Sequence, residues 1–178
     1  MPRELSTAPR EPLLRNAEQT RSLGRRLGRL LRGGDCVFLI GGLGAGKTTF
    51  VQGVASGAGF RGTVSSPTFV LVRVYRARRA TLYHIDFYRV AAGETADIGL
   101  EDYISDPRGV CLVEWPDAGS GYLPAERLEV RLAYGKRVDE RRVSMKAFGA
   151  RAKDLLGRLR CGAGGGTGKR RARPSACR

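Results

Sequence analysis

Eight consecutive residues, Gly41-Gly42-Leu43-Gly44-Ala45-Gly46-Lys47-Thr48, satisfy the pattern G-x-x-x-x-G-K-[ST] at every constrained position. The spacing has a chemical reason. Glycines let the backbone turn with its N–H groups pointing inward, which makes a concave nest for a polyphosphate. A helix that starts at the nest adds the attraction of its N-terminal dipole. Lys47 then reaches the β- and γ-phosphates as a point charge, and the Thr48 hydroxyl is offered to Mg²⁺. The chain uses Arg 27 times and Lys only five times, yet the motif's cationic position is Lys, the side chain whose shape the nest accepts. The Gly168-Lys169 pair is a control within the same chain. It has Ala163 where the first glycine is needed and Arg170 in place of Ser or Thr. The inference is a nucleoside triphosphate site over Gly42–Thr49.

Phosphoryl transfer also needs a carboxylate near the cation and a group that orients the attacking oxygen. Asp86, after Leu-Tyr-His-Ile, and Glu114, after Val-Cys-Leu-Val, each close an apolar run. An acid at the carboxyl edge of a buried strand stands where α/β proteins bind ligands. Each is also read as a solvated or capping acid at a strand end, and spacing does not rank the two. Trp115, the only tryptophan, follows Glu114 directly; it either packs or shields a nucleotide. His84, the only histidine, alternates with Tyr83 and Ile85 and reads as a hydrogen-bonded structural residue rather than a base. Ser66-Pro67-Thr68 is either a switch-like cover for the γ-phosphate or a turn fixed by proline.

The elements that must position these residues follow from periodicity. Asn16, with Gln19 three residues later, predicts a capped helix carrying Leu23, Leu27, Leu30 and Leu31 and stopped by Gly33-Gly34. Residues 35–40 predict a strand buried on both faces, and about 47–57 a helix. Runs 68–75 and 81–88 predict a hairpin around Arg-Ala-Arg-Arg-Ala. A helix is expected over 93–104 with Ile98, Tyr103 and Ile104 inward, and a buried strand over 109–115. Alternating runs at 127–134 and 141–148 predict a second hairpin around Gly135, and about 149–160 a last helix. The fold class is therefore α/β, with a largely parallel central sheet flanked by helices and added antiparallel strands. Residues 13–160 form the expected single domain, behind a disordered lead (1–12) and ahead of a disordered Gly/Arg-rich tail (161–178).

Composition narrows the function classes. The 178 residues carry 32 Lys and Arg against 17 Asp and Glu, a net charge of +15. Residues 158–178 alone hold seven basic and no acidic side chains. Such a tail attracts nucleic acid electrostatically, but it lacks the interleaved aromatics that stack on bases. Cys36, Cys111, Cys161 and Cys177 form no C-x-x-C pair, so neither a zinc site nor a disulfide framework is expected. No apolar run approaches the roughly 20 residues of a membrane span, and the polar, proline-broken start is unlike a signal peptide. The expected location is cytoplasmic, with no membrane partner.

Taken together, GGLGAGKTTF (41–50), SSPTF (65–69), YHIDFYR (83–89), LEDYI (100–104) and VCLVEWP (110–116) resemble the TsaE family, also called YjeE. These are small bacterial P-loop ATPases that act in threonylcarbamoyladenosine modification of tRNA. The resemblance runs in order from about residue 16 to 148. It implies a P-loop NTPase fold with ATP and Mg²⁺ as cofactors. Lys47, Thr48 and Thr49 would hold phosphate and magnesium, with Glu114 as the second magnesium-side ligand. Asp86 would be the acid nearest the attacking water. Trp115 would lie at the nucleotide, with Ser66, Pro67 and Thr68 as the switch-like segment and Thr20 toward the base. Two positions depart from the family pattern. Gly42 stands where an acid is usual, and Phe87 where a leucine is usual.

The resemblance further implies a TsaB–TsaD complex as partner, whose TsaD subunit transfers the threonylcarbamoyl group to adenosine 37. Tied to this is ATP hydrolysis that supports repeated turnover and is weak without those partners. tRNA would be met indirectly or through the basic tail. The competing reading is a P-loop small-molecule kinase, with the arginines of the 76–80 turn binding phosphate.

Overall fold

The computed structural model describes residues 12–89, 99–119 and 123–161. Its sheet is built from β1 (Leu13–Leu14), β2 (Cys36–Ile40), β3 (Val72–Arg76), β4 (Thr81–Asp86), β5 (Gly109–Glu114), β6 (Arg127–Tyr134) and β7 (Arg141–Phe148). The helices are α1 (Ala17–Gly28), α2 (Lys47–Ala58), α3 (Leu100–Ile104) and α4 (Ala150–Cys161). Strand order is β1-β7-β6-β2-β5-β4-β3. β6, β2, β5 and β4 run parallel, while β1, β7 and β3 add antiparallel edges. This is the expected α/β class with a parallel centre.

The central strands read as unbroken apolar runs because both faces are covered. Successive β2 side chains alternate between them. Val37 and Leu39 join Leu27, Phe50 and Val54 beneath α1 and α2. Cys36 and Phe38 join Ile85, Phe87, Val113 and Leu100 beneath α3. α4 is tied down by Arg151, whose guanidinium donates to both oxygens of the buried Asp35 at 2.9 and 2.8 Å. That carboxylate raises the arginine's pKa.

α1 and α2 meet at backbone contact. A Cβ on Gly24 or Gly28 would lie 2.3 Å from Phe50 O or 2.1 Å from Val54 O, and one on Gly53 or Gly57 would lie 2.1 or 2.2 Å from Arg21 O or Arg25 O. The two glycine pairs, each four residues apart, thus form a reciprocal seam. A helical Gly→Ala change ordinarily gains about 1 kcal/mol. Gly28→Ala should instead cost about 2–3 kcal/mol by overpacking, lowering Tm by about 5–10 °C in a calorimetric scan; an unchanged or raised Tm would refute the seam.

Several boundaries differ from expectation. Asn16 does cap α1, its Oδ1 accepting from Gln19 N at 2.9 Å, while the Gln19 side chain accepts from Arg15 N rather than from Asn16 N. The helix ends not at Gly33-Gly34 but at Gly28, where the chain tightens and Leu30 N bonds Leu27 O, three residues back, at 2.8 Å. β3 begins at Val72 rather than 68. Pro67 O takes the amides of Val70 and Leu71 at 2.8 and 2.7 Å, and Leu71 sits at φ +62, so neither residue extends the strand. Pro12, placed in the expected lead, is bound through its carbonyl by Val143 N, and β1 behind it was not expected. Of the expected 93–104 helix, only Leu100–Ile104 lies among the described helical residues; residues 93–98, Ile98 included, lie outside the described residues. So do residues 1–11 of the lead and the tail from 162 onward. No helix among the described residues is long and apolar enough to cross a membrane.

Candidate nucleotide-binding site

The loop 41–46 joins the carboxyl end of β2 to the first turn of α2, whose leading N–H groups have no partner within the helix. Gly46 caps α2 at φ +98 and Gly44 sits at φ +72, a backbone turn that glycine makes without steric cost. If amides are to face inward, carbonyls must face out, and the outward ones are held. Tyr134 Oη donates to Leu43 O at 2.5 Å, and Arg141 donates to Ala45 O and Gly44 O at 3.0 and 3.1 Å, with its guanidinium over the Tyr134 ring. Thus the β6–β7 hairpin braces the loop from outside. Neither residue belongs to a motif, and only the fold brings them to the loop. Gly42 is open: a Cβ there would meet nothing within 4 Å, so a larger side chain has room.

A cavity of about 280 Å³ lies over this loop. Leu43, Gly44, Gly46, Lys47, Thr48 and Thr49 line it from one side; Ser66, Thr68, Asp86, Tyr88, Glu114 and Trp115 close the other. Gly42, Ala45 and Pro67 do not line it. Ala45 and Pro67 are buried supports of their turns. Thr20 is buried beside Gly46, its Cγ2 3.9 Å from the position a Cβ would take there.

Lys47 is buried, and its Nζ donates to Gly41 O at 2.9 Å and Gly42 O at 3.0 Å while lying 4.1 Å from the centre of the Trp115 ring. Burial lowers its pKa below the usual lysine value, and Glu114 and Asp86 oppose that shift. Trp115 reaches this position because the chain turns to φ +56 on leaving β5; its ring also packs on Tyr88 at 5.1 Å. Sequence reasoning did not single out Tyr88, although it stands two residues after Asp86.

The two strand-end acids have distinct surroundings. Asp86 Oδ2 accepts from Ser66 Oγ at 3.2 Å and from Thr68 Oγ1 at 2.5 Å, and Oδ1 from Tyr88 N at 2.9 Å. It anchors the 66–68 turn to the end of β4. Glu114 Oε1 accepts the Thr48 hydroxyl at 3.0 Å and lies 2.9 Å from His84 Nε2. The histidine is hydrogen-bonded, as its strand position led us to expect, and its partner is a site acid. One hydroxyl and one carboxylate make a hard-oxygen donor pair suited to Mg²⁺, which keeps waters and shares phosphate oxygens. Among the described residues no group of three or more His, Cys, Asp or Glu stands together as a metal cage, so a cation here would complete its shell from phosphate and water. The residues therefore fit a magnesium–nucleotide.

The arginines of the 76–80 turn are elsewhere. Arg79 N bonds Ala58 O at the carboxyl end of α2, roughly 16 Å along the helix from Lys47 at 1.5 Å per residue. They lie too far away to bind the phosphates as the kinase reading requires.

Comparison with known proteins places these residues in a family. Residues 14–143 match the family described as threonylcarbamoyl adenosine biosynthesis protein TsaE. The chain is 40% identical to the tRNA threonylcarbamoyladenosine biosynthesis protein TsaE of Bacillus subtilis, over 81% of this chain and 89% of that protein. It is 44% identical to the protein of the same name from Streptomyces coelicolor, over 74% and 92%. The crystal structure of YdiB from Bacillus subtilis superposes with a TM-score of 0.75 at 33% identity, covering 86% of this chain and 95% of that one.

Proposed function

The chain belongs to the TsaE family, and on that premise we propose that it binds ATP with Mg²⁺ and hydrolyses it in support of threonylcarbamoylation of adenosine 37 in tRNA by a TsaB–TsaD complex. The observation that carries this reading is the meeting of Lys47, Thr48, Asp86, Glu114 and Trp115 on one cavity. Lys47 reaches the β- and γ-phosphates from the floor of the loop, and the amides of Gly44–Thr49 cradle them. Thr48 and Glu114 would hold Mg²⁺, which would supply positive charge to the phosphate oxygens. Asp86 orients the attacking water and accepts its proton. Trp115 and Tyr88 cover the phosphates, and Ser66–Thr68 form the side of the cavity that responds to the γ-phosphate. The relatives are named for tRNA threonylcarbamoyladenosine biosynthesis, which supports this reading, and a cytoplasmic location is part of the proposal. Residues 13–160 are the ATPase domain on this reading. The basic segment 161–178 stands outside it as an electrostatic tether for tRNA, with the strong salt dependence such contacts have.

The test is ATP hydrolysis by the purified protein, alone and with a TsaB–TsaD pair. Turnover should be weak alone and rise at least about tenfold with the pair, a change of about 1.4 kcal/mol in barrier. Equal rates with and without the pair would remove the partner from the proposal, and phosphate appearing on a small-molecule acceptor would replace hydrolysis by kinase chemistry.

A further inference from the structure

His84 is wholly buried in β4, and one of its two ring nitrogens has no purpose in the packing. Nε2 lies 2.9 Å from Glu114 Oε1, while Nδ1 has no hydrogen-bond partner among the described residues. A neutral imidazole donates from one nitrogen and accepts at the other. Facing a carboxylate, the proton belongs on Nε2, which leaves Nδ1 as an unmet buried acceptor. An unmet buried polar atom works against folding, and a leucine or phenylalanine filling the same space beside Tyr75 would carry none. What the imidazole supplies that an apolar side chain lacks is the Nε2–H.

We infer that His84 is a positioning residue for Glu114, donating Nε2–H to Oε1 so that the other oxygen is presented to a divalent cation bound with the nucleotide. This rests on the reading of Glu114 as the magnesium-side acid. Two donors from different elements share Oε1: Thr48 from the start of α2 and His84 from the central sheet. Together they fix the plane of the carboxylate. Oε2 accepts no hydrogen bond from the described residues and belongs to a side chain that lines the cavity. Thr48 sits beside the phosphates, whereas His84 is held in register opposite Leu112 of β5 and Arg73 of β3. The histidine is thus the donor whose position does not depend on the nucleotide. Outer partners of metal ligands act in this way, setting orientation without touching the ion.

The experiment is ADP binding by the full chain, read through the fluorescence of Trp115, the only tryptophan, with and without Mg²⁺. His84→Phe should melt near the parent temperature and bind ADP in EDTA within about twofold of it. The Mg²⁺ concentration that gives half of the cation-dependent effect should rise about tenfold, in the range for lost outer partners of metal ligands. His84→Gln, which restores an N–H donor, should recover most of that loss. An unchanged Mg²⁺ requirement in His84→Phe, or a glutamine variant no better than phenylalanine, overturns the inference. Glu114→Gln separates the premise from the inference. If it keeps the parent's Mg²⁺ dependence, the reading of Glu114 fails; if it loses that dependence while His84→Phe does not, only the role of His84 falls. Should the phenylalanine variant not fold, imidazole ¹⁵N resonances of the parent decide. A proton on Nε2 whose signal moves when Mg²⁺ is added to the ADP complex supports the inference, and a proton on Nδ1, or no response to Mg²⁺, overturns it.

Discussion

Lys47→Ala should reduce partner-stimulated ATP hydrolysis by about a thousandfold, the upper end of what loss of a single pre-placed charge-stabilising donor costs. The side chain is 4% exposed, so its charge acts through a medium far less screening than water. Two loop carbonyls and the Trp115 face hold the ammonium at the cavity. ADP affinity should fall less, by about tenfold, because the amide nest and α2 remain. Lys47→Arg should not rescue turnover, since a planar fork cannot replace a compact ammonium at this depth. Single-turnover hydrolysis alongside ADP titration reads both numbers. A Lys47→Ala protein that keeps more than about a tenth of parental turnover would remove the lysine from the chemistry.

The second large effect is expected at Asp86. Its carboxylate accepts from three groups, the Ser66 and Thr68 hydroxyls and the Tyr88 amide. Asparagine keeps one acceptor oxygen and turns an NH₂ toward groups that need an acceptor. Asp86→Asn should therefore lose about 10²–10³ in hydrolysis, within the range for a positioned base, and should speed amide exchange across 66–71 as the turn is released. Nucleotide affinity should change less than threefold, because the phosphate nest is untouched. Thr68→Val separates the two roles, since it removes one bond to the turn and leaves the carboxylate intact. It should keep most of the turnover; a loss equal to that of Asp86→Asn would mean that the acid acts through the turn and not on water.

What could be read from the sequence was what local spacing encodes. The phosphate loop was legible because each glycine, the lysine and the threonine answer to one turn of backbone between one strand and one helix. Asp86 and Glu114 were legible as strand-end acids because β4 and β5 are buried on both faces and so end abruptly in polarity. α1's end was not: Leu30 and Leu31 continue the apolar spacing, and only the short-span bond from Leu30 N to Leu27 O shows the helix tightening to its end. The start of β3 was misplaced because β propensity in TFVL says nothing of Pro67 O capturing two amides. β1 is two residues long, too short for any period, and exists because β7 offers it an edge. Tyr134 and Arg141 could not be assigned to the loop, since their partners are backbone carbonyls far away in sequence. For His84, the strand position was legible and the Glu114 partner was not.

The glycine seam between α1 and α2 has a mechanical consequence for the cavity. Rolling or sliding α2 would drive its carbonyls into α1's backbone, as the Cβ distances at Gly24, Gly28, Gly53 and Gly57 show. α2 and the phosphate end of its loop are therefore a stator. Across the cavity, Ser66, Thr68 and Tyr88 are held to Asp86 by single hydrogen bonds, and Trp115 is held by ring contacts with Lys47 and Tyr88. Single hydrogen bonds and ring contacts can be exchanged one at a time; interlocked backbone cannot. On the proposed reading, arrival or loss of a γ-phosphate should displace that wall, next to Phe69 and Val70, which project into solvent, and leave α2 in place.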